Sequence, residues 1–211
     1  MTIWDRIYQR YKRTGKTYAS LETPLHPTFL DFLQKAQLPS KKVLDIGCGT
    51  GSYLKYLKGR GFDVDGIDSS ETAVTMAREA LSTDAKITLA DMYSLELPRD
   101  SYGLVISISA MTHGKKQQVE SLVGTIYKTL VPGGKLFLTL IATWNREETL
   151  GKVEFIGDGE FIPQEGPEKG LIHNSFTEKE IQALFLQFRQ VDVQEDPTSG
   201  VARKFVVMAE K

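Results

Sequence analysis

The stretch that decides the fold is VLDIGCGTGSY, from Val43 to Tyr53. It begins as an apolar run that contains Asp45, and it continues with three glycines at alternate positions. A buried strand followed by a glycine-rich turn is typical of the ligand-binding edge of a parallel sheet. No lysine follows the glycines, which excludes a phosphate-binding P-loop. The dinucleotide motif requires a glycine where Ser52 stands, which disfavours a nicotinamide cofactor without excluding it.

Segments with strand and helix character alternate outward from this turn as far as residue 141. Short apolar runs are separated by amphipathic stretches, some of which begin at a capping serine or end at a glycine. This alternation predicts parallel strands joined by right-handed crossovers, and hence a doubly wound α/β sheet. Further along, Thr177 and Glu180 form a capping box at the start of another helix, and two more strands follow it.

The two flanking segments are harder to interpret. Aromatic residues at helical spacing and a helix-starting Pro27 predict helices in residues 1–40, where the aromatics suit either a lid or ordinary packing. Residues 143–174 have no clear period and are interpreted as an insertion that forms an acceptor pocket or covers the sheet edge. Its many acids are typical of a solvated face. The residues concerned are Trp4, Tyr8, Tyr11 and Tyr18, then Trp144, Phe155, Phe161 and Ile162, and the acids Glu147, Glu148, Glu154, Asp158, Glu160, Glu165 and Glu168.

The composition narrows the class of protein. The chain has 211 residues, of which 41% are hydrophobic and 25% charged, and its formal net charge is −1. These values fit a globular domain without a basic surface for nucleic acid or an anionic membrane. A single cysteine excludes an intrachain disulfide and a multi-thiolate metal site. No apolar run approaches membrane-spanning length, so we expect a cytoplasmic protein, monomeric or homodimeric.

An acid follows the second predicted strand, where Asp68 ends the segment VDGID. A carboxylate accepts two hydrogen bonds from a vicinal diol, so this position suits a ribose. The ribose can belong to a dinucleotide or to another nucleoside, and Asp68 alone does not discriminate between them.

In the glycine turn and in the acid after the second strand, the chain resembles the class I S-adenosylmethionine (SAM) dependent methyltransferases. Residues 45–51 match the family's strand-one motif, D/E-x-G-x-G-x-G, and the resemblance extends over residues 42–141 by motif and over the rest by element order. It implies a mostly parallel seven-stranded sheet with helices on both faces and an antiparallel last strand. It also implies one domain, 1–211, made of an N-terminal helical lid (1–40), a SAM-binding core (42–141), an insertion on the acceptor side (143–174), and a C-terminal helix with two strands (175–211).

The resemblance also implies roles for individual residues. Backbone near the first glycines would contact the methionine moiety, with Asp45 near its ammonium, and Asp68 would bind the ribose. An acid and an apolar residue after the third strand would bind adenine, and the end of the fourth strand would line the methyl-donor pocket. The predicted cofactor-binding residues are Asp45, Gly47, Cys48, Gly49, Gly51, Asp68, Ser69, Asp91, Met92, Ile108, Ser109 and, from the lid, Tyr18.

Several of these residues keep a purely structural alternative. Asp45 suits a role in orienting the turn as well as one near the ammonium, and the two are compatible. Cys48 is interpreted as a small residue in a tight turn rather than a nucleophile, because no histidine is near it in sequence. His113, after the fourth strand, is the candidate general base, or else a loop or capping residue. His26 and His173 are interpreted as structural, and the histidine spacing predicts no metal site.

The predicted function is transfer of a methyl group from SAM to a small molecule by in-line displacement, with S-adenosylhomocysteine as product. The N/D-P-P-Y/F motif of relatives that methylate nucleic-acid bases is absent, since the corresponding stretch reads ISAMTHG. Together with the neutral charge, this argues against a nucleic-acid acceptor. A non-catalytic SAM-binding module is the alternative, and a nicotinamide-dependent oxidoreductase is a weaker one.

Overall fold

The computed structural model describes residues 1–15, 25–81, 85–143, 151–199 and 203–211. Tyr18, Trp144, Glu147 and Glu148, which the sequence singled out, lie outside these ranges. The helices are α1 (Ile3–Thr14), α2 (Pro27–Lys35), α3 (Ser52–Lys58), α4 (Glu71–Leu81), α5 (Lys116–Thr129) and α6 (Glu178–Leu184), with a short 3-10 helix at Met92–Ser94. The strands are β1 (Lys42–Ile46), β2 (Asp63–Asp68), β3 (Lys86–Leu89), β4 (Tyr102–Ser107), β5 (Leu130–Ile141), β6 (Val153–Gly157), β7 (Glu160–Pro163), β8 (His173–Asn174), β9 (Gln190–Glu195) and β10 (Lys204–Glu210).

Seven of the strands form one sheet in the order β3-β2-β1-β4-β5-β10-β9. The first five in this order pair in parallel, whereas β10 is antiparallel to both β5 and β9. The predicted doubly wound, mostly parallel sheet with an inserted antiparallel last strand is confirmed. The order reverses at β1, so the carboxyl ends of β1 and β4 flank the switch point where open α/β sheets bind ligands.

Successive residues of the central strands point to opposite faces of the sheet, and each face is covered by helices. Val43 belongs to an apolar cluster that includes residues of α2, α3 and α4. Its neighbour Leu44 belongs to a second cluster that includes residues of α5 and α6. Burial on both faces explains why β4 is buried along its whole length and why these strands read as continuous apolar runs.

The insertion forms a second, three-stranded antiparallel sheet in the order β6-β7-β8, which the sequence did not predict. Its strands are short, and β6 is largely exposed, so no clean alternation of apolar and polar residues marks them. An isolated bridge between His113 and His173 joins this sheet to the turn after β4. Within the described parts of the chain, no helix combines the length and apolarity needed to cross a membrane.

Candidate active site

A cavity of about 590 Å³ lies over the carboxyl ends of β1 to β4. We call its sheet side the floor, which consists of the turn at 46–51 and residues 68–69, 91–92 and 108–109. We call its cover the roof, which consists of Trp4 and Tyr8 of α1, His113, and residues 161–173. Both sides contribute to the wall of this cavity.

The glycine turn is shaped by the protein's own packing. Gly47 and Cys48 both donate backbone hydrogen bonds to the carbonyl of Ile67, at 2.8 and 2.9 Å. Gly47, with φ of 78°, lies so close to Ala110 that an added Cβ would stand 2.2 Å from the Ala110 Cβ. An added Cβ on Gly49 would stand 2.6 Å from the Tyr8 hydroxyl. The glycines are therefore required by contacts with the turn after β4 and with α1.

Asp68 connects the end of β2 to the glycine turn. Its Oδ2 accepts a hydrogen bond from the Gly49 N–H at 2.9 Å, and its Oδ1 accepts one from the Ser70 N–H at 2.9 Å. Burial raises the pKa of this carboxyl, although the backbone donors act in the opposite direction. A carboxylate accepts about four hydrogen bonds, so Asp68 keeps acceptor capacity toward the cavity that it lines.

Asp45 lies beneath the cavity rather than in its wall. It is only 4% exposed, and burial, followed by the charge of Asp68, raises its pKa to about 8. The carboxyl is therefore protonated at neutral pH in the protein alone. An ammonium group brought nearby would favour the ionised form, because an opposite charge lowers the pKa of an acid.

The third strand contributes an acid and a thioether side chain to the floor. Asp91 caps the short 3-10 helix, its Oδ1 accepting a hydrogen bond from the Tyr93 N–H at 3.0 Å. It is exposed to the cavity, where Met92 lies beside it half-buried. This pair offers one carboxylate and one polarizable apolar surface, as an amino-substituted aromatic base requires.

The fourth strand ends in a strained turn. Ser109 has a φ of 57°, in the left-handed region that residues other than glycine rarely adopt. Its N–H donates to Thr139 Oγ1 at 2.8 Å, and its hydroxyl accepts from Lys204 Nζ at 2.9 Å. These bonds from β5 and β10 stabilise the turn, and they bring the Lys204 ammonium, whose pKa burial lowers, into the cavity wall.

Helix α1 is anchored over the floor by Asp5. Its Oδ1 accepts hydrogen bonds from the Ser70 hydroxyl at 2.8 Å and from the Thr72 N–H at 3.2 Å. The carboxylate therefore lies at the N-terminus of α4, where the helix dipole favours negative charge. This contact presents Tyr8 to Gly49 and Trp4 to the rest of the roof.

Two histidines and a glutamate converge in the roof. His173 Nε2 lies 2.9 Å from one oxygen of Glu168, and His113 Nε2 lies 3.6 Å from the other. The His173 ring stacks on Phe161 with centroids 5.1 Å apart, and the His113 ring meets the edge of Trp4 at 4.8 Å. His113, the predicted base, therefore belongs to a group of side chains rather than to an isolated loop position.

The structure separates the predicted cofactor residues into two sets. The residues that line the cavity are Gly47, Asp68, Ser69, Asp91, Met92, Ile108 and Ser109. Asp45, Cys48, Gly49 and Gly51 build the turn and its supports but are not among the lining residues, and Tyr18 lies outside the described residues. The roles assigned to both sets stay predictions.

Sequence reasoning missed several contributors to the wall, among them Glu168, Lys204 and Thr112. Glu168 was placed among the solvated acids, yet it contacts two histidines. Lys204 and Thr112 are not among the predicted site residues, although both line the cavity. The local sequence carries no signal for Glu168 and Lys204, because they come from segments distant from the central strands, whereas Thr112 lies directly before His113 in the turn after β4.

Comparison with known proteins identifies related chains. Residues 43–134 match the family described as a methyltransferase domain. Over 164 residues the chain is 34% identical to phosphoethanolamine N-methyltransferase 1 of Arabidopsis thaliana, which covers 74% of this chain and 31% of that protein. Over 145 residues it is 29% identical to probable tRNA methyltransferase 9B of Bos taurus, and this match covers 68% of this chain and 30% of that protein. The chain thus spans about a third of the length of these curated relatives.

A solved structure shares the fold along nearly the whole chain. It is the crystal structure of 1,6-didemethyltoxoflavin-N1-methyltransferase from Burkholderia thailandensis, with bound 1,6-didemethyltoxoflavin and S-adenosylhomocysteine. The TM-score is 0.72 at 16% identity, and the match covers 99% of this chain and 87% of that one. At this identity the likeness shows a common fold.

Proposed function

This chain is a member of the class I SAM-dependent methyltransferase family, and on that premise we propose that it transfers a methyl group from SAM to a small molecule held in the cavity. The observation that carries the proposal is the cavity itself. Its volume of about 590 Å³ falls within the range of small-molecule sites, and one continuous wall joins the floor to the roof.

The residues of the floor fit a nucleoside. Asp68 offers carboxylate oxygens where a ribose diol needs acceptors, and Asp91 offers an acceptor for an exocyclic amine. Met92 supplies an apolar surface for a purine ring. The three side chains come from the ends of two neighbouring strands, β2 and β3, so a single ligand can contact all of them.

The family's cofactor supplies an electrophilic methyl group on a sulfonium, which is already a good leaving group. The chain then has to orient an acceptor and keep water away, and orientation alone is worth about 7–11 kcal/mol in favourable cases. Trp4, Tyr8 and Phe161 place aromatic rings in the roof of the cavity. For an acceptor that is protonated at working pH, His113 offers the Nε2 that we propose as general base.

The two curated relatives are named for different acceptors, phosphoethanolamine and tRNA, so the features of this chain decide between the two classes. The net charge of −1 gives no electrostatic footprint for a polyanion. Residues of α1 and of the insertion also line the cavity opposite the strand ends, which favours a ligand that fits between these walls over one that lies across the surface.

Calorimetry with SAM, S-adenosylhomocysteine and NAD tests the cofactor. We expect binding of the first two and none of NAD, and NAD binding without SAM binding would overturn the proposal. Incubation with labelled SAM and two acceptor pools, small metabolites and unmodified tRNA, then tests the acceptor. Label in the metabolite pool alone supports a small-molecule acceptor. Label in tRNA alone contradicts it, and label in neither pool favours a non-catalytic SAM-binding module.

A further inference from the structure

The roof contains a cluster of three side chains whose chemistry exceeds that of a lone base. His113, Glu168 and His173 each direct one potential ligand atom to a common point, and these atoms all lie within 4.8 Å of one another. The side chains are 12%, 23% and 6% exposed, so the cluster is largely shielded yet borders the cavity.

Hydrogen bonds at the back of both rings fix which nitrogen faces the cluster. His173 Nδ1 lies 3.2 Å from the Leu171 carbonyl, and His113 Nδ1 lies 3.1 Å from the Ala110 carbonyl. A carbonyl oxygen only accepts, so each Nδ1 carries the proton and donates it. In the neutral rings each Nε2 then presents a lone pair. This is the arrangement that positions histidine as a metal ligand.

The opposite side of each ring faces an acceptor as well. Both Nε2 atoms lie near the Glu168 carboxylate, at 3.6 Å from one oxygen for His113 and 2.9 Å from the other for His173. A metal ion bound among the three side chains and an imidazolium that donates a hydrogen bond to Glu168 are the two states of the cluster to separate.

We propose that His113, Glu168 and His173 bind a divalent first-row transition metal ion, with Zn²⁺ as the ion that the donor set suits best. Two imidazole nitrogens and one carboxylate oxygen form a three-ligand set of the kind that leaves a further position open for water or substrate. In a tetrahedral site, two ligands of one Zn²⁺ lie about 3.3–3.6 Å apart, given metal–ligand distances of ~2.0–2.2 Å. The ligand atoms lie within 4.8 Å of one another here, so the side chains have to move together when the ion binds.

The neighbourhood supports the same assignment. The Phe161 ring is stacked on His173 and Trp4 packs against His113, so both imidazoles are held in orientation before an ion arrives. The open position faces the cavity, where it would take an oxygen, nitrogen or sulfur atom of the acceptor; this last point rests on the proposed function. With a metal bound, His113 Nε2 is a ligand and no longer a base, and the ion lowers the pKa of the group bound to it.

Metal binding to the full, tag-free chain after treatment with a chelator tests the site directly. Calorimetric titration with Zn²⁺ should show one equivalent per chain, recovered after competition with a chromogenic chelator. Glu168→Gln should weaken that binding at least about tenfold. Glu165→Gln is the matched control, since Glu165 also lines the cavity but is not part of the cluster, and it should bind like the parent chain.

His173→Gln should have the same effect as Glu168→Gln, with circular dichroism to verify that each variant is folded. If His173→Gln fails to fold, the glutamate pair decides alone. Absence of stoichiometric binding, or equal affinity in Glu168→Gln and Glu165→Gln, overturns the proposal and leaves an imidazolium–carboxylate cluster. Titration with S-adenosylhomocysteine in the presence of chelator is independent of the metal. It separates failure of this site from failure of the proposed function.

Discussion

The floor and the roof of the cavity are built in different ways. In the floor, ligand-facing groups follow four consecutive strands, and backbone N–H groups fix them in place, as at Asp68 and Gly49. In the roof, the groups come from α1, from the turn after β4 and from the insertion, and side-chain contacts hold them together. The register of the strands therefore specifies the floor, whereas tertiary packing specifies the roof.

The largest effect should come from the glycine turn, where the floor leaves no room for change. Gly47 and Gly61 both have a φ of 78°, but an added Cβ meets Ala110 at 2.2 Å in the first and nothing within 4 Å in the second. We expect Gly61→Ala to lower the free energy of unfolding by roughly 1–2 kcal/mol. Gly47→Ala should lower it by about 1–3 kcal/mol more, from overpacking. Denaturant unfolding measures both, and equal losses would contradict the packing argument.

The next effect concerns ligand binding by the floor. Asp68→Asn removes the charge while keeping one oxygen to accept a backbone hydrogen bond, and we expect the affinity for S-adenosylhomocysteine to fall by about 1.5–3 kcal/mol. Asp63→Asn is the control, because Asp63 is an exposed acid at the far end of the same strand. Calorimetry on both variants measures the difference. An unchanged affinity in Asp68→Asn would show that the ribose does not lie at this strand end.

A third prediction uses the buried acid beneath the floor. The pKa of Asp45 is raised to about 8, above its unfolded value of 3.8, so the folded chain holds a proton that the unfolded chain releases between these pH values. The free energy of unfolding therefore decreases with rising pH in this window because of Asp45. Asp45→Asn lacks the effect, so the free energy of unfolding of this variant, relative to that of the parent, should increase with pH up to about pH 8.

Denaturant unfolding of the parent and of Asp45→Asn at pH 5, 6, 7 and 9 provides the check. The difference in unfolding free energy between the variant and the parent should stop increasing above about pH 8, where Asp45 is ionised in the folded and in the unfolded chain. A difference that is independent of pH would mean that this carboxyl is ionised throughout. An ammonium group of SAM near Asp45 would lower the pKa of this carboxyl. With saturating SAM, the difference should then stop increasing at a lower pH.

The smallest effect should separate the roof from the floor. Phe161 is 4% exposed and stacks on His173, so Phe161→Leu keeps an apolar side chain but removes the ring stacking. We expect a loss of about 1 kcal/mol in unfolding free energy. The affinity for S-adenosylhomocysteine should be unchanged, because Phe161 lies on the acceptor side. A comparable loss of cofactor affinity would show that the two walls are not independent.

The sequence predicts the floor better than the roof, because strand register leaves a local pattern in the sequence and tertiary packing does not. The alternation of strands and helices and the strand-end position of Asp68 follow from local periodicity and turn chemistry, the antiparallel last strand follows from the family resemblance, and the predicted fold is confirmed. Glu168 and His173 lie five residues apart in a segment without periodicity, and His113 lies about 55 residues before Glu168. Their meeting depends on the β7–β8 pairing and on the bridge between the two histidines, and neither leaves a spacing pattern in the chain.

The position of β10 has a consequence for synthesis. This strand follows β9 along the chain but lies inside the sheet, paired on one side with β5 and on the other with β9. Until Lys204–Glu210 leaves the ribosome, β9 lacks its partner in the described sheet and β5 carries an unpaired edge. An exposed edge of this kind recruits other strands, so the nascent chain is most open to misassociation just before its translation reaches β10. Since Lys204 arrives on the same strand, the wall of the cavity and the protected edge are completed together.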